Sequence, residues 1–363
     1  MKSDLPDIET GMDSSLDQLC QSLSESSSAL RNEHDWPGDQ LKQCADQGVF
    51  RWFIDERWGG AGWAADRIQQ GYIRLAAACL TTTFVITQRA GACRRIAGSD
   101  NEGLKQRLLQ DLAAGSISAT LGISHLTTSR RHLSRPVLVA TQTTSGWTLN
   151  GFSPWVTGGA NADYLVVAAV TQSGQQILVV VPNGQPGVTV QPGHALVALS
   201  ASQTGAVEFR EVAVPDEWVL SGPAKHVLVS GNNATTGGLQ TSALALGLAT
   251  AAVAFIRREA VNRPELVPNG DALQQQLRQL TDSLLSMARG QDQPECSAAD
   301  LRTAANSFAL RATQSALVAA KGAGFVAGHP VGRWCQEALF FLVWSCPQPV
   351  LDANLCEFAG LID

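Results

Sequence analysis

Much that would fix a function at a glance is missing from this sequence. Its eight cysteines (Cys20, Cys44, Cys79, Cys93, Cys296, Cys335, Cys346 and Cys356) contain no CxxC pair, which argues against a zinc framework. Most lie among apolar residues in helix-like stretches and read as reduced, buried thiols. The six histidines show no metal-ligand spacing, and neither a G-x-S-x-G elbow nor a Walker loop occurs, so no metal is expected. Lys and Arg number 26 against 32 Asp and Glu, a formal net charge of -6, and they form no basic patch. A polyanion partner needs clustered cations to displace counterions, so nucleic acid is not expected. The longest nearly unbroken apolar run, 243–256, falls short of the ~18 residues of a membrane span and is expected to be a helix buried inside protein. Residues 1–10 carry Asp4, Asp7 and Glu9 without an apolar stretch, which reads as no secretory signal. Together these absences lead to the expectation of a soluble, cytoplasmic protein with no membrane partner.

The chain has 363 residues and is 45% hydrophobic, longer than the ~250 to 300 residues at which single cores stop growing, so two or three packed domains are expected. Leu16, Leu19, Cys20, Leu23 and Leu30 recur at helical spacing and predict a helix over 13–30. A second helix is expected after Trp36-Pro37, because proline suits a first helical turn. The turn-rich 58–63 interrupts, then Ile68, Tyr72, Ile73, Leu75 and Cys79, and later Leu104, Leu108, Leu109 and Leu112, restore helical periodicity. Near Gly115 the period becomes alternating, and strands are expected at 137–143, 147–151, 164–171, 176–181, 188–191 and 205–215. After Ser221-Gly222-Pro223 long helices return, at 235–258, 272–289, 298–321 and 331–345. The fold class is α+β and mainly helical: an N-terminal helical domain (1–116), a middle antiparallel β domain (117–225) and a C-terminal four-helix bundle (226–363).

Residues 146–171, GWTLNGFSPWVTGGANADYLVVAAVT, are the most informative stretch. Trp147, Leu149, Gly151, Trp155, Val156, Thr157, Gly159, Ala162 and Asp163 resemble the W-x-L-x-G-x-K-x-W-I/V-T-N-G-x-x-A-D pattern of the acyl-CoA dehydrogenase superfamily. Ser153 stands for the lysine and Gly158 for the asparagine. Upstream, Trp36-Pro37, Gly48 and 58–62 echo further family segments. Downstream, Ser202, Thr204, Phe209, Val212, Val214 and Pro215 resemble the S-x-T...F-x-x-V-x-V-P strand. The resemblance covers nearly the whole chain and implies a barrel-like β domain between helical blocks, FAD as cofactor, and a homodimer or homotetramer whose subunits complete one another's cofactor sites.

By the same resemblance Trp155 packs on the flavin ring and Thr157 hydrogen-bonds its N5 edge. A flat aromatic face excludes water there, and a hydroxyl can donate to a nitrogen whose basicity changes with redox state. Thr120 matches a flavin-contacting threonine. Arg258 and Gln274 match residues that contact the FAD of a neighbouring subunit, the guanidinium fork suiting paired phosphate oxygens. Gly322 and Gly324 match glycines that let backbone approach the adenosine half. For Arg258, a solvated arginine closing an apolar helix is the ordinary alternative.

The family pattern breaks where chemistry is needed. Dehydrogenation beside a thioester requires a carboxylate to take the α-proton. The usual glutamate position, seven residues after Ala338, holds Ser345, whose unassisted hydroxyl is too weak a base near neutral pH. A second position used by some relatives falls in 234–247, which offers no acid. Where the family has T-E-x-x-A-G-S-D, the sequence from Ala119 to Leu138 keeps Thr120 but not the acidic and Gly-Ser-Asp parts. Ser124 and His125 are acid/base candidates there, against the alternative of a loop histidine bonded to backbone. Cys346 is a second-rank candidate as a reactive thiol. Three activities remain open: an FAD-dependent oxidoreductase acting on CH-CH bonds of a small substrate, of the acyl-thioester or another class; a flavin monooxygenase or oxidase; or a non-catalytic flavin-binding paralogue.

Overall fold

A computed structural model describes residues 12–127, 136–228, 238–291 and 296–361. The N-terminal helices are α1 (Met12–Ser26), α2 (Gly38–Asp46), α3 (Ala65–Ala78), α4 (Leu80–Ala97) and α5 (Glu102–Ala114). The helix expected over 13–30 tightens into a 3-10 turn at Ser27–Ala29. α4 follows α3 with one non-helical residue between them, Cys79, which is extended (φ -153, ψ 104). Periodicity alone does not mark α4, because from Leu80 to Cys93 nearly every side chain is buried and the helix has no polar stripe.

The strands are β1 (Ala119–Gly122), β2 (Leu138–Thr143), β3 (Gly146–Thr157), β4 (Tyr164–Thr171), β5 (Gln176–Pro182), β6 (Val188–Val190), β7 (Thr204–Pro215) and β8 (Val219–Ala224), with the short helix α6 (Ser124–Thr127) after β1. They form one sheet in the order β6-β7-β3-β2-β4-β5-β8, with β1 on β4. The sheet is mixed, not wholly antiparallel: β1 runs parallel to the first half of β4 (Ala119 opposite Tyr164) and β2 parallel to its end (Val139 opposite Val170). Both parallel partners share one edge of β4, each covering a different stretch of its backbone. Ser221-Gly222-Pro223, after which long helices are expected, lies inside β8, an edge strand, where a proline without an N–H is tolerated.

The C-terminal helices are α7 (Leu239–Ala260), α8 (Val267–Ala288), α9 (Ala298–Ala320), α10 (Pro330–Leu339) and α11 (Gln348–Phe358). The expected start of the first of these, 235–238, lies partly outside the described residues. α7 is long and apolar enough to cross a membrane, but most of it is buried within this protein, as expected for the run 243–256. α9 opens with a capping box, Ser297 and Asp300 exchanging hydrogen bonds with each other's backbone N–H. The last expected helix stops at Leu339; a 3-10 turn, Phe340–Leu342, follows it.

Three cores hold this together. Leu19, Leu23, Tyr72 and Leu75 from the N-terminal helices share one core with Leu244, Leu248, Phe308 and Phe341. α4 and α5 cover one face of the sheet through Ile96, Leu108 and Leu112 against Val166, Ala168 and Val180. The other face packs Trp147, Leu149, Val179 and Phe209.

Candidate functional site

The end of β3 is built to present two side chains. Thr157 is buried, and its Oγ1 lies 2.9 Å from Thr204 Oγ1, which lies 2.8 Å from Ser202 Oγ. Each hydroxyl has one proton, so if Ser202 donates to Thr204 and Thr204 to Thr157, the Thr157 proton is left to point onward. Trp155, two residues earlier, remains 44% exposed, and its ring meets His194 edge-on at 5.2 Å. Gly158, immediately after, is left-handed at φ +62, and its N–H donates to the carbonyls of Ser202 (3.0 Å) and Gln203 (3.2 Å). A Cβ there would stand 2.6 Å from the Trp36 ring. Gly158→Val is therefore expected to destabilise the protein by about 3 kcal/mol, combining a left-handed β-branched residue with overpacking; the denaturation midpoint checks this.

Trp155 and Thr157 open onto a cavity of about 590 Å³. Its lining also includes Phe84, Gln88, Arg94 and Arg95 from α4, Ser124 after β1, Thr204, Gln240 and Thr241 at the start of α7, and Gln336, Phe340, Trp344 and Ser345. One wall is aromatic: Phe340 stacks on Trp344 at 5.0 Å, and Phe84 meets both edge-on at 4.8 and 5.0 Å. The turn bearing Trp344 and Ser345 is hung from α9. Buried Arg302 donates to the Trp344 carbonyl (3.0 Å), and Asn306 donates to that of Phe341 (3.0 Å). Desolvation pulls the Arg302 guanidinium down to about 10. Ser345 itself is left-handed, φ +46.

The cavity therefore gathers Trp155, Thr157, Ser124 and Ser345 of the residues singled out in the sequence. The others lie elsewhere. Thr120 spends its hydroxyl on the Thr157 carbonyl (2.7 Å) and steadies the strand end instead of lining the cavity. His125 is buried outside the lining, and its Nε2 must be the protonated nitrogen because it faces the Ala168 carbonyl at 2.8 Å. Burial lowers its pKa. As an acid/base candidate it is set aside by that geometry. Cys346 is also outside the lining, and burial raises its thiol pKa, which works against thiolate reactivity. Arg258 is exposed over the Phe255 ring at 5.3 Å, and Gln274 is half-buried on α8. Gly322 is open, whereas a Cβ at Gly324 would meet Ala320 at 2.7 Å, a contact within this chain.

Reading the sequence missed Arg94, Arg95, Gln240 and Thr204 as cavity residues. For the arginines a signal was present: two adjacent cations closing a buried helix that holds one other charge, Arg89. Among the described residues the cavity lining has no Asp, Glu, His or Lys, and no group of metal-ligating side chains occurs.

Residues 15–116 match the acyl-CoA dehydrogenase N-terminal domain and 125–212 the acyl-CoA dehydrogenase middle domain. The chain belongs to the acyl-CoA dehydrogenase superfamily, a family of oxidoreductases. It is 22% identical over 349 residues to the short-chain specific acyl-CoA dehydrogenase of rat mitochondria (Rattus norvegicus), covering 89% of this chain and 84% of that one. Its fold is similar to butyryl-CoA dehydrogenase from Megasphaera elsdenii (TM-score 0.82, 18% identity, 99% and 100% covered). It is equally similar to a glutaryl-CoA dehydrogenase from Mycobacterium smegmatis in complex with FADH2 (TM-score 0.82, 18% identity, 97% and 95% covered).

Proposed function

We propose that this protein is an FAD-dependent oxidoreductase that acts on a CH-CH bond of a small activated acyl substrate held in the 590 Å³ cavity. The observation that carries this reading is the convergence of the Trp155 ring, the Thr157 hydroxyl bonded to Thr204 and an aromatic wall on one cavity. The residues present fit a flavin: an indole face left open, and a hydroxyl that is free to donate onward when Thr204 donates to it from behind. When bound, the flavin supplies a two-electron acceptor. Trp155 would cover its ring against water, Thr157 would donate to its N5 edge, and the Phe84, Phe340 and Trp344 wall would take the apolar part of the substrate.

The test is the visible spectrum of the purified, FAD-loaded protein under anaerobic titration with acyl-CoA thioesters of increasing chain length. Loss of the flavin band with one class of thioester supports the reading; a protein that refuses FAD sinks it. The absence of a proton-accepting side chain from the described lining favours a second reading, oxygen chemistry on the same fold, which needs no α-proton base. Fast reaction of the photoreduced protein with air, stimulated by substrate, is the result that reading requires.

The same proposal assigns Arg258, Gln274, Gly322 and Gly324 to the cofactor of a neighbouring subunit in a homo-oligomer. What supports it is an apolar surface beside them: Phe325 is 85% exposed, Val318 78% and Val261 71%, and such patches mark association sites. Phe325→Asp is expected to reduce the molar mass measured by light scattering to that of a smaller assembly and to weaken FAD retention about tenfold or more. An unchanged mass would show that this face is not the interface.

A further inference from the structure

Three buried hydroxyls, those of Thr157, Thr204 and Ser202, form a chain that ends in the cavity. β3 and β7 pair so that Thr157 stands directly opposite Thr204, with their Oγ1 atoms 2.9 Å apart. Ser202 Oγ lies 2.8 Å from Thr204 Oγ1, outside the cavity lining, and makes no other hydrogen bond among the described residues. Thr157 and Thr204 both line the cavity. Thr120, the other hydroxyl nearby, bonds the Thr157 carbonyl and not its side chain.

Three O–H groups joined by two contacts have one proton to spare. It is not that of Ser202, because a buried donor left unpaired is costly, so Ser202 donates to Thr204. The spare proton enters the cavity through Thr157 or through Thr204, and these exits define two states of the chain. In one, Thr204 donates to Thr157, which donates into the cavity. In the other, Thr157 donates to Thr204, which accepts from both neighbours through its two lone pairs and turns its own proton to the cavity.

A flavin edge demands such a reversal. Oxidised N5 is an acceptor, and two-electron reduction adds a proton there and makes it a donor. A buried hydroxyl with nothing behind it matches only the first of these. One backed by Thr204 matches both.

We infer that Thr204 is a positioning residue for cofactor reduction: it receives the Thr157 proton when N5 becomes a donor, and so lets the reduced flavin keep its hydrogen bond to Thr157. The inference rests on the flavin reading and adds to it a residue that acts through another.

The midpoint potential of the FAD-loaded protein, measured by anaerobic co-reduction with a dye of known potential, tests it; the dye system supplies both electrons and the buffer the N5 proton. Thr204→Val keeps the branched shape but loses the acceptor, stranding the Thr157 proton in the reduced state alone. The ratio of oxidised to reduced protein at a fixed potential is expected to rise about tenfold, the effect of one unpaired buried donor, which lowers the midpoint of a two-electron couple by about 30 mV. Thr204→Ser, which keeps the hydroxyl, should stay within about twofold of the wild-type ratio. Affinity for oxidised FAD should also change by no more than about twofold in Thr204→Val, because Thr157 donates to that form in either protein; a general loosening of the site would weaken it further.

In a Thr157→Val background the effect of Thr204→Val should vanish, since no proton is left to receive. A midpoint that Thr204→Val leaves unmoved or raises, or a shift that persists in the Thr157→Val background, overturns the inference. Should Thr204→Val fail to fold, Thr204→Ala against Thr204→Ser carries the same decision, the alanine lowering the midpoint and the serine not. A protein that takes up no FAD defeats the flavin reading and this inference with it; one that takes up FAD and shows no Thr204 effect keeps that reading and loses only this one.

Discussion

Ser345→Glu is expected to raise the rate at which acyl-CoA thioesters bleach the FAD-loaded protein by about 10² to 10⁴, the range that a positioned general base contributes. Ser345 lines the same cavity as Trp155 and Thr157, on a turn fixed from behind by Arg302 and Asn306. A carboxylate there gains access to the cavity without repacking the core. The backbone is already left-handed at φ +46, so glutamate meets no restriction that serine does not. Stopped-flow absorbance under nitrogen reads the result. If the rate stays at the wild-type level with flavin still bound, then a missing carboxylate is not what limits thioester oxidation here, and the oxygen reading gains.

A second large effect concerns stability. Glu337 on α10 is fully enclosed, and desolvation pushes its carboxyl up to about 7, against a lesser opposing pull from Arg333 at 3.4 Å. A folded-state pKa above the unfolded value of about 4.5 means that the native state holds the proton more tightly. The stabilisation is therefore complete below about pH 4.5, declines as pH rises, and is gone above about 7; at 1.36 kcal/mol per pKa unit this amounts to about 3 kcal/mol. Denaturant unfolding of the wild type between pH 5 and 8 should show that decline. Glu337→Gln, which cannot ionise, should flatten most of it. A pH profile identical in the two proteins would mean that Glu337 stays charged throughout.

Much of the fold could be read because its segments obey one period each. β7 appears nearly where alternation puts it, at Thr204–Pro215, and β4 where a short apolar run bounded by turn residues puts it, at Tyr164–Thr171. α9 is marked at its start by the Ser297 and Asp300 cap. Elements buried all round carry no period. α4 is buried on every side, and β1 has only four residues; both escaped, and with α4 went the arginines of the cavity. β8 escaped because Ser-Gly-Pro reads as punctuation, and only the strand's position at the sheet edge makes it tolerable.

The site divides in the same way. Trp155, Thr157 and Ser345 follow from motif spacing and share a cavity. His125 looked chemical but satisfies a strand carbonyl, and nothing local in the sequence reveals that Ala168 lies beside it. The hydroxyl relay of Ser202, Thr204 and Thr157 depends on pairing between strands about fifty residues apart, which local pattern does not encode.

The core shared by Leu19, Tyr72, Leu248 and Phe308 has a consequence for how the molecule assembles itself. The helices α1 to α3 cannot complete the burial of their apolar faces until residues of α7 and α9 have been made, so closing that long loop must precede the contacts that reward it. Folding should be slow and late during synthesis, with α1 to α3 protease-sensitive on nascent chains that end before α9. Once formed, the two helical blocks should melt in one transition, because neither retains a complete interior without the other.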